Sequence, residues 1–248
     1  MVRIDGRNND QLRPVRITPD FTKYAEGSVL IEQGDTMVLC TASFTEGVPR
    51  FLKDTGRGWL TAEYDMLPRA NRDRTPRDIS KLKVSGRSAE IQRLIGRSLR
   101  SVVDLSLLGE NTIVVDCDVL QGDGGTRCAS ITGGFVALYM ACARMVKMGV
   151  LKRMPIRDYI AALGTGILCI DGEECVVLDM CYEEDSSCIA DFNVIGTGSG
   201  KIAEVQGTGE GRPYTVDELM AVLKITMPAL ACVIAEQRKI TDTLGVSL

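Results

Sequence analysis

Residues 124 to 127 read Gly-Gly-Thr-Arg, a run that supplies complementary parts of an oxyanion site. Glycine lets main-chain amides approach an anion closely, threonine adds a hydroxyl donor, and the arginine fork suits bidentate contact with phosphate. Taken alone, the string is equally a tight turn with a solvated arginine. A second group, Glu183, Glu184, Asp185 and Asp191, puts four carboxylates within nine residues. Such clusters are ordinarily solvated loops, but Asp191 opens an apolar run, where a buried carboxylate needs a cation or a proton. Magnesium suits that position, because it accepts one or two carboxylates together with phosphate oxygens and waters. A third group, Arg69, Arg72, Arg74 and Arg77, is either a phosphate clamp or solvated surface. With only Trp59 and Tyr64 nearby, it is better suited to gripping a sugar-phosphate backbone than to stacking bases.

Histidine is absent from all 248 residues, which removes imidazole as base, nucleophile activator or metal ligand. What remains is carboxylates, guanidinium groups, hydroxyls, amides and an oxygen-held metal, a set that suits phosphoryl transfer. The net charge of −4 conceals a segment, Arg69 to Arg100, that carries +7 and leaves −11 for the rest. This is a local polyanion site on an acidic body. Nine cysteines include no C-x-x-C pair and read as small buried hydrophobes in a reducing compartment. The polar N-terminus lacks the apolar core of a secretory signal, and no stretch approaches the roughly 18 apolar residues of a membrane span, so a cytoplasmic protein without a membrane partner is expected. The Gly196 to Ile202 string superficially resembles a nucleotide-binding P-loop, but Ile195 and Ile202 stand where that motif needs its first glycine and its metal-binding hydroxyl.

The elements that must position these groups are readable from periodicity. Gly27–Gln33 and Thr36–Ser43 form a predicted hairpin about Gly34-Asp35, and a strand follows near Trp59–Met66. A basic exposed loop spans Pro68–Lys83. Apolar spacing then predicts a helix over Ser88–Val103, with Arg93, Arg97 and Arg100 as a basic ridge. A strand over Thr112–Leu120 runs into the glycine loop, and a long apolar helix is predicted from about Ser130 to Lys147. Ile167–Ile170 and Cys175–Met180 form a second hairpin about Asp171-Gly172, with further strands over Ala190–Ile195 and Lys201–Gln206. Thr215 and Glu218 have capping-box spacing ahead of a closing helix, in which Pro228 predicts a kink. Strand, glycine loop and helix in that order strengthen the anion reading of residues 124 to 127. The fold class expected is α+β, a single domain over 1–248 with mixed sheets, packed helices and β-α-β units.

Along nearly its whole length the chain resembles the ribonuclease PH family. The collinear strings include Asp5-Gly-Arg7, Gln11-Leu-Arg-Pro14, Gly56-Arg-Gly-Trp59, Met66-Leu-Pro-Arg69, Glu90-Ile-Gln-Arg-Leu-Ile-Gly-Arg97, Asp116-Cys-Asp-Val-Leu-Gln121, Gly124-Gly-Thr-Arg127 and Glu204-Val-Gln-Gly-Thr208. The resemblance implies a fold related to a ribosomal-protein domain and a homohexameric ring built as a trimer of dimers. It also implies a reaction in which inorganic phosphate attacks the last phosphodiester of an RNA 3′ end, precursor tRNA foremost, and releases nucleoside diphosphates. By position it implies that Arg87, Gly125, Thr126 and Arg127 bind phosphate, and that Asp185 and Asp191 serve magnesium and catalysis. Arg69, Arg74 and Arg77 resemble residues that hold the RNA acceptor stem, and Arg93 and Arg97 on the helical ridge are further candidate RNA contacts. Cys128, Gly122, Asp65 and Phe192 depart from the family's usual residues without removing a chemical group, although Asp65 sits beside the RNA-binding loop.

Two rivals stand against phosphorolysis: a catalytically silent RNA-binding subunit of an exosome-like ring, and a hydrolytic nuclease indifferent to phosphate. A silent subunit is expected to have lost a phosphate-site arginine or an aspartate; Arg87, Arg127, Asp185 and Asp191 are all present.

Overall fold

The computed structural model describes residues 3–77 and 85–248, so Lys81 and Lys83 of the basic loop lie outside the described residues. Among the described residues, nine strands make two sheets. The first has the order β1-β2-β3-β5-β4, formed by β1 Val15–Pro19, β2 Gly27–Gln33, β3 Thr36–Glu46, β4 Trp59–Met66 and β5 Asn111–Gln121. The second has the order β7-β6-β8-β9, with β6 Ile160–Ile170, β7 Glu173–Leu178, β8 Ala190–Thr197 and β9 Ile202–Gly209. All pairings are antiparallel except β4 with β5, which α1 (Gly86–Ser101) connects as a β-α-β unit. This is the expected mixed α+β architecture.

Both expected hairpins form on two-residue turns. Gln33 pairs with Thr36 around Gly34 at φ 57°, and Ile170 pairs with Glu173 around Asp171 and Gly172 at φ 54° and 85°. β1 was not anticipated; it is a short edge strand between prolines, too brief to show alternation.

The helix α2 (Thr126–Lys147) packs against β2, β3 and β5 of one sheet and β6 of the other, so nearly every face is buried. Its approach to β2 is close: a Cβ on Gly27 would lie 1.9 Å from the Ala137 carbonyl oxygen. Thr132 Oγ1 accepts from the Ala162 amide of β6 at 3.2 Å. α1 flanks β4, and α4 (Val216–Thr241) covers the second sheet, where Gln237 Nε2 donates to the Thr132 and Ile160 carbonyls at 3.0 and 2.9 Å. The capping box of Thr215 and Glu218 forms as expected, and Pro228 lies inside α4.

The expectation that no segment approaches a membrane span is corrected for two helices. Thr126–Lys147 and Val216–Leu244 are long and apolar enough by composition, and the apolar window of the first is 89% buried. Its apolarity answers to the two sheets around it. α2 also begins four residues earlier than the apolar run suggested, at Thr126, which brings the helix start directly onto the glycine loop.

Candidate active site

One cleft of about 1420 Å³ opens where the end of β4, the loop after β5, the first turns of α1 and α2, α3 (Tyr182–Asp185), β8 and β9 converge. Gly124 and Gly125 are both left-handed, at φ 74° and 67°. A Cβ on Gly124 would fall 2.6 Å from the Met180 carbonyl oxygen, so no side chain fits there. Gly125 is the N-cap of α2 and offers no capping side chain, whereas Ser85 accepts from the Ser88 amide at α1 and Thr215 from Glu218 at α4. The first-turn amides and dipole of α2 are left for an outside acceptor. Beside them the Thr126 hydroxyl lies 2.9 Å from that of Tyr64 on β4. Arg127 Nη1 donates to Gln206 Oε1 at 3.3 Å and stands 3.6 Å from Glu90 Oε1, while exposed Arg87 on the first turn of α1 faces the same cleft.

Across the cleft are Asp185, at the end of α3, and Asp191, the second residue of β8. Burial, then repulsion from Asp185, pushes the Asp191 carboxyl up to about 6, with Arg127 opposing. Burial likewise raises Asp185, against the pull of Arg127 and Arg87. Arg87 and Arg127 line the same cleft as the two acids, so cations and carboxylates share one site. Two residues on along the same face of β8, Asn193 Nδ2 donates to Asp191 Oδ2 at 3.1 Å, and Cys128 Sγ donates to Asn193 Oδ1 at 3.2 Å. Cys128 is fully buried and its thiol is pushed far above its ordinary value, which makes it a packing group and weak donor, not a nucleophile. Asp185 and Asp191 line the same cleft, and two carboxylates facing one space are oxygen donors of the kind a hard divalent cation takes.

The acidic cluster therefore divides. Asp185 and Asp191 face the cleft, Glu184 is 5% exposed and ion-paired with the Arg3 guanidinium, and Glu183 reaches Arg72 at 2.6 Å on the surface. Glu184 also groups with Asp5 and Cys181 at spacings that could hold a metal, but Arg3 already occupies its carboxylate. Of the candidate RNA contacts, Arg69, Arg74, Arg77 and Arg93 are exposed outside the cleft lining, and Arg97 is bound by Glu204 through two hydrogen bonds at 3.1 and 2.6 Å. Arg72 is the member of the basic loop that lines the cleft. Residues not singled out from sequence are Tyr64 as a partner of Thr126, Asn193 and Gln206. The strand alternation Asp191-Phe192-Asn193 was the available signal for Asn193, since Phe192 is fully buried and its neighbours turn the other way.

Models of the 3′ exoribonuclease family match the chain, domain 1 over residues 11–143 and domain 2 over 162–228. A ribonuclease PH from Moorella thermoacetica is 52% identical over 245 residues, covering 99% of this chain and 96% of that one. The crystal structure of rice (Oryza sativa) Rrp46 superposes with a TM-score of 0.77 at 21% identity, over 96% of this chain and all of the other. An Archaeoglobus fulgidus exosome with RNA bound to the active site also gives 0.77, at 24% identity over 95% of this chain and 92% of its own. At those identities the two structures speak for the fold alone.

Proposed function

The chain belongs to the ribonuclease PH family of 3′ exoribonucleases and is a phosphorolytic enzyme of that kind; we propose that its reaction runs in the cleft formed by α2, α3 and β8. Orthophosphate sits on the uncapped start of α2, held by the amides of Gly125 and Thr126, the Thr126 hydroxyl and the guanidinium groups of Arg127 and Arg87. These donors spread the anion's charge and let it approach an anionic phosphodiester in line. The single observation that carries this reading is that the one helix start built without a capping side chain, among α1, α2 and α4, faces two raised carboxyls across the same cleft.

Asp185 or Asp191 would hold magnesium, which would supply charge neutralisation to the reacting phosphoryl group. The other carboxyl, which burial helps to keep protonated, would deliver its proton to the departing 3′ oxygen. Products are a nucleoside 5′-diphosphate and RNA one nucleotide shorter. The substrate proposed is the 3′ end of precursor tRNA and of other RNAs, its backbone held by the exposed Arg69, Arg74, Arg77 and Arg93 together with Arg72 at the cleft edge. The working assembly is a cytoplasmic homohexamer, a trimer of dimers.

Incubating RNA with a free 3′ end and magnesium, with and without phosphate, tests this directly. Diphosphates appearing only with phosphate, and lost in Arg127→Ala with the fold intact, are expected. Monophosphates without phosphate would establish hydrolysis, and no product at all a silent RNA-binding subunit.

A further inference from the structure

The phosphate seat is made of glycine, and glycine does not hold itself in place. Residues 122 to 125 include two consecutive left-handed glycines, a backbone with many alternatives unless something fixes it. Two side chains from far away do so. Thr36, fully buried on β3, accepts from the Asp123 amide at 2.9 Å and donates its hydroxyl to the Gly124 carbonyl at 2.7 Å. Arg13, from the segment before β1, donates to the Asp123 carbonyl through Nη1 and to the Gly124 carbonyl through Nη2 at 3.5 Å. Its side chain is only 5% exposed, and a Cβ on Gly34 would lie 2.5 Å from Arg13 Cδ, so the first hairpin turn leaves room for it.

The same Nη2 of Arg13 also meets Asp179, which directly follows β7. Asp179 Oδ1 accepts from Arg13 Nη2 at 2.7 Å and from Gln33 Nε2 at 2.7 Å, and Oδ2 accepts from the Arg13 amide at 2.8 Å. Asp179 is 1% exposed and adopts φ 53°, a left-handed conformation that costs a non-glycine residue and persists only where its surroundings over-determine it. From there the chain leads into α3, whose first amide, Tyr182, donates back to Asp123 Oδ1 at 3.2 Å, and α3 ends in Asp185.

We propose that the Arg13–Asp179 pair is a positioning element for phosphate: it sets the pose of the Gly124 and Gly125 backbone and ties that pose to the arm carrying Asp185. Arg13 touches no reacting atom; it acts through the loop. The inference rests on the reading that orthophosphate binds at Gly125 to Arg127. Lysine at position 13 keeps the charge but cannot reach two carbonyls and a carboxylate from one planar fork.

The test measures KM for phosphate and KM for RNA separately, with circular dichroism melting, in the wild type, Arg13→Lys, Thr36→Val and Arg127→Ala. Arg13→Lys and Thr36→Val are each expected to raise the phosphate KM roughly tenfold or more, because a small misplacement of the binding groups is costly, while the RNA KM stays within about twofold. A phosphate KM raised less than that, or a rise shared equally by RNA as a general loss of structure would give, overturns the proposal. If Arg13→Lys does not fold, Thr36→Val decides by the same criteria, since it removes the loop's other holder while keeping the branched side-chain shape. Wild-type turnover that needs no phosphate would instead sink the underlying reading, and loss of phosphorolysis in Arg127→Ala alone, with the phosphate KM of the other two variants unchanged, would leave that reading standing while removing Arg13 from it.

Discussion

The Asn193 side-chain amide donates to Asp191 Oδ2 at 3.1 Å, and this is the hydrogen bond to the Asp191 side chain that steadies an acid otherwise disfavoured by its surroundings. Burial and Asp185 together hold the Asp191 carboxyl at about 6, so above that pH the folded protein carries a charge its interior resists. A raised folded value for a carboxyl means that the folded state takes up the proton first as pH falls, so the cost is present above about 6 and is relieved below it. In metal-free buffer Asp191→Asn is therefore expected to melt higher than the wild type at pH 8, with the difference shrinking as pH falls below 6. The variant is expected to lose phosphorolysis. Equal melting temperatures across that range would show that Asp191 is not strained by its charge.

Gly124→Ala places a methyl group 2.6 Å from the Met180 carbonyl oxygen at a φ of 74°. The loop must shift off Met180, which separates the amides from Arg127 and Thr126. Phosphate KM is expected to rise roughly tenfold or more, whereas Gly47→Ala, with nothing within 4 Å of the added Cβ, tests the strain of a positive φ without a clash and should leave the phosphate KM near wild type.

RNA affinity is expected to fall steeply with salt as phosphate contacts release counterions. Removing Arg74 or Arg77, both exposed, should reduce the slope of log affinity against log salt by roughly 0.7 to 1 each. Arg97→Ala should change it little, because Glu204 already holds that guanidinium at 2.6 Å. Binding measured from 50 to 200 mM salt, on the order of the range where such slopes are read, distinguishes free from committed arginines.

Glu184→Gln leaves the Arg3 guanidinium, whose side chain is fully buried, without its counter-charge. The expected loss is about 3–5 kcal/mol, read as a drop in melting temperature of about 2–4 °C for each kcal/mol. Although burial works to raise the Glu184 carboxyl, Arg3 holds it below the usual carboxylate range. That stabilisation is present above the ordinary carboxylate pKa and is lost as pH falls through the lowered one, so the wild type should converge on Glu184→Gln only in strong acid. A variant as stable as the wild type at pH 7 would remove the N-terminal segment from the stability of α3.

Much of this molecule is written locally. Period-two runs and two-residue turns specified the hairpins about Gly34 and Gly172, the spacing of Thr215 and Glu218 specified a cap, and a strand feeding glycines into a helix marked Gly125, Thr126 and Arg127 as a candidate anion seat at a helix start. These signals are legible because they depend only on neighbours one to four residues apart. Which of the four clustered acids line the cleft was not legible from their spacing and was named only through the family resemblance: Glu184 is drawn away by Arg3, 181 residues distant in the chain, and Glu183 by Arg72. Nor was the role of Arg13, which meets Asp123 across 110 residues and Asp179 across 166. Burial of one helix between two sheets decides those meetings, because charges brought out of water must find partners wherever packing has put them, and sequence spacing does not record that distance.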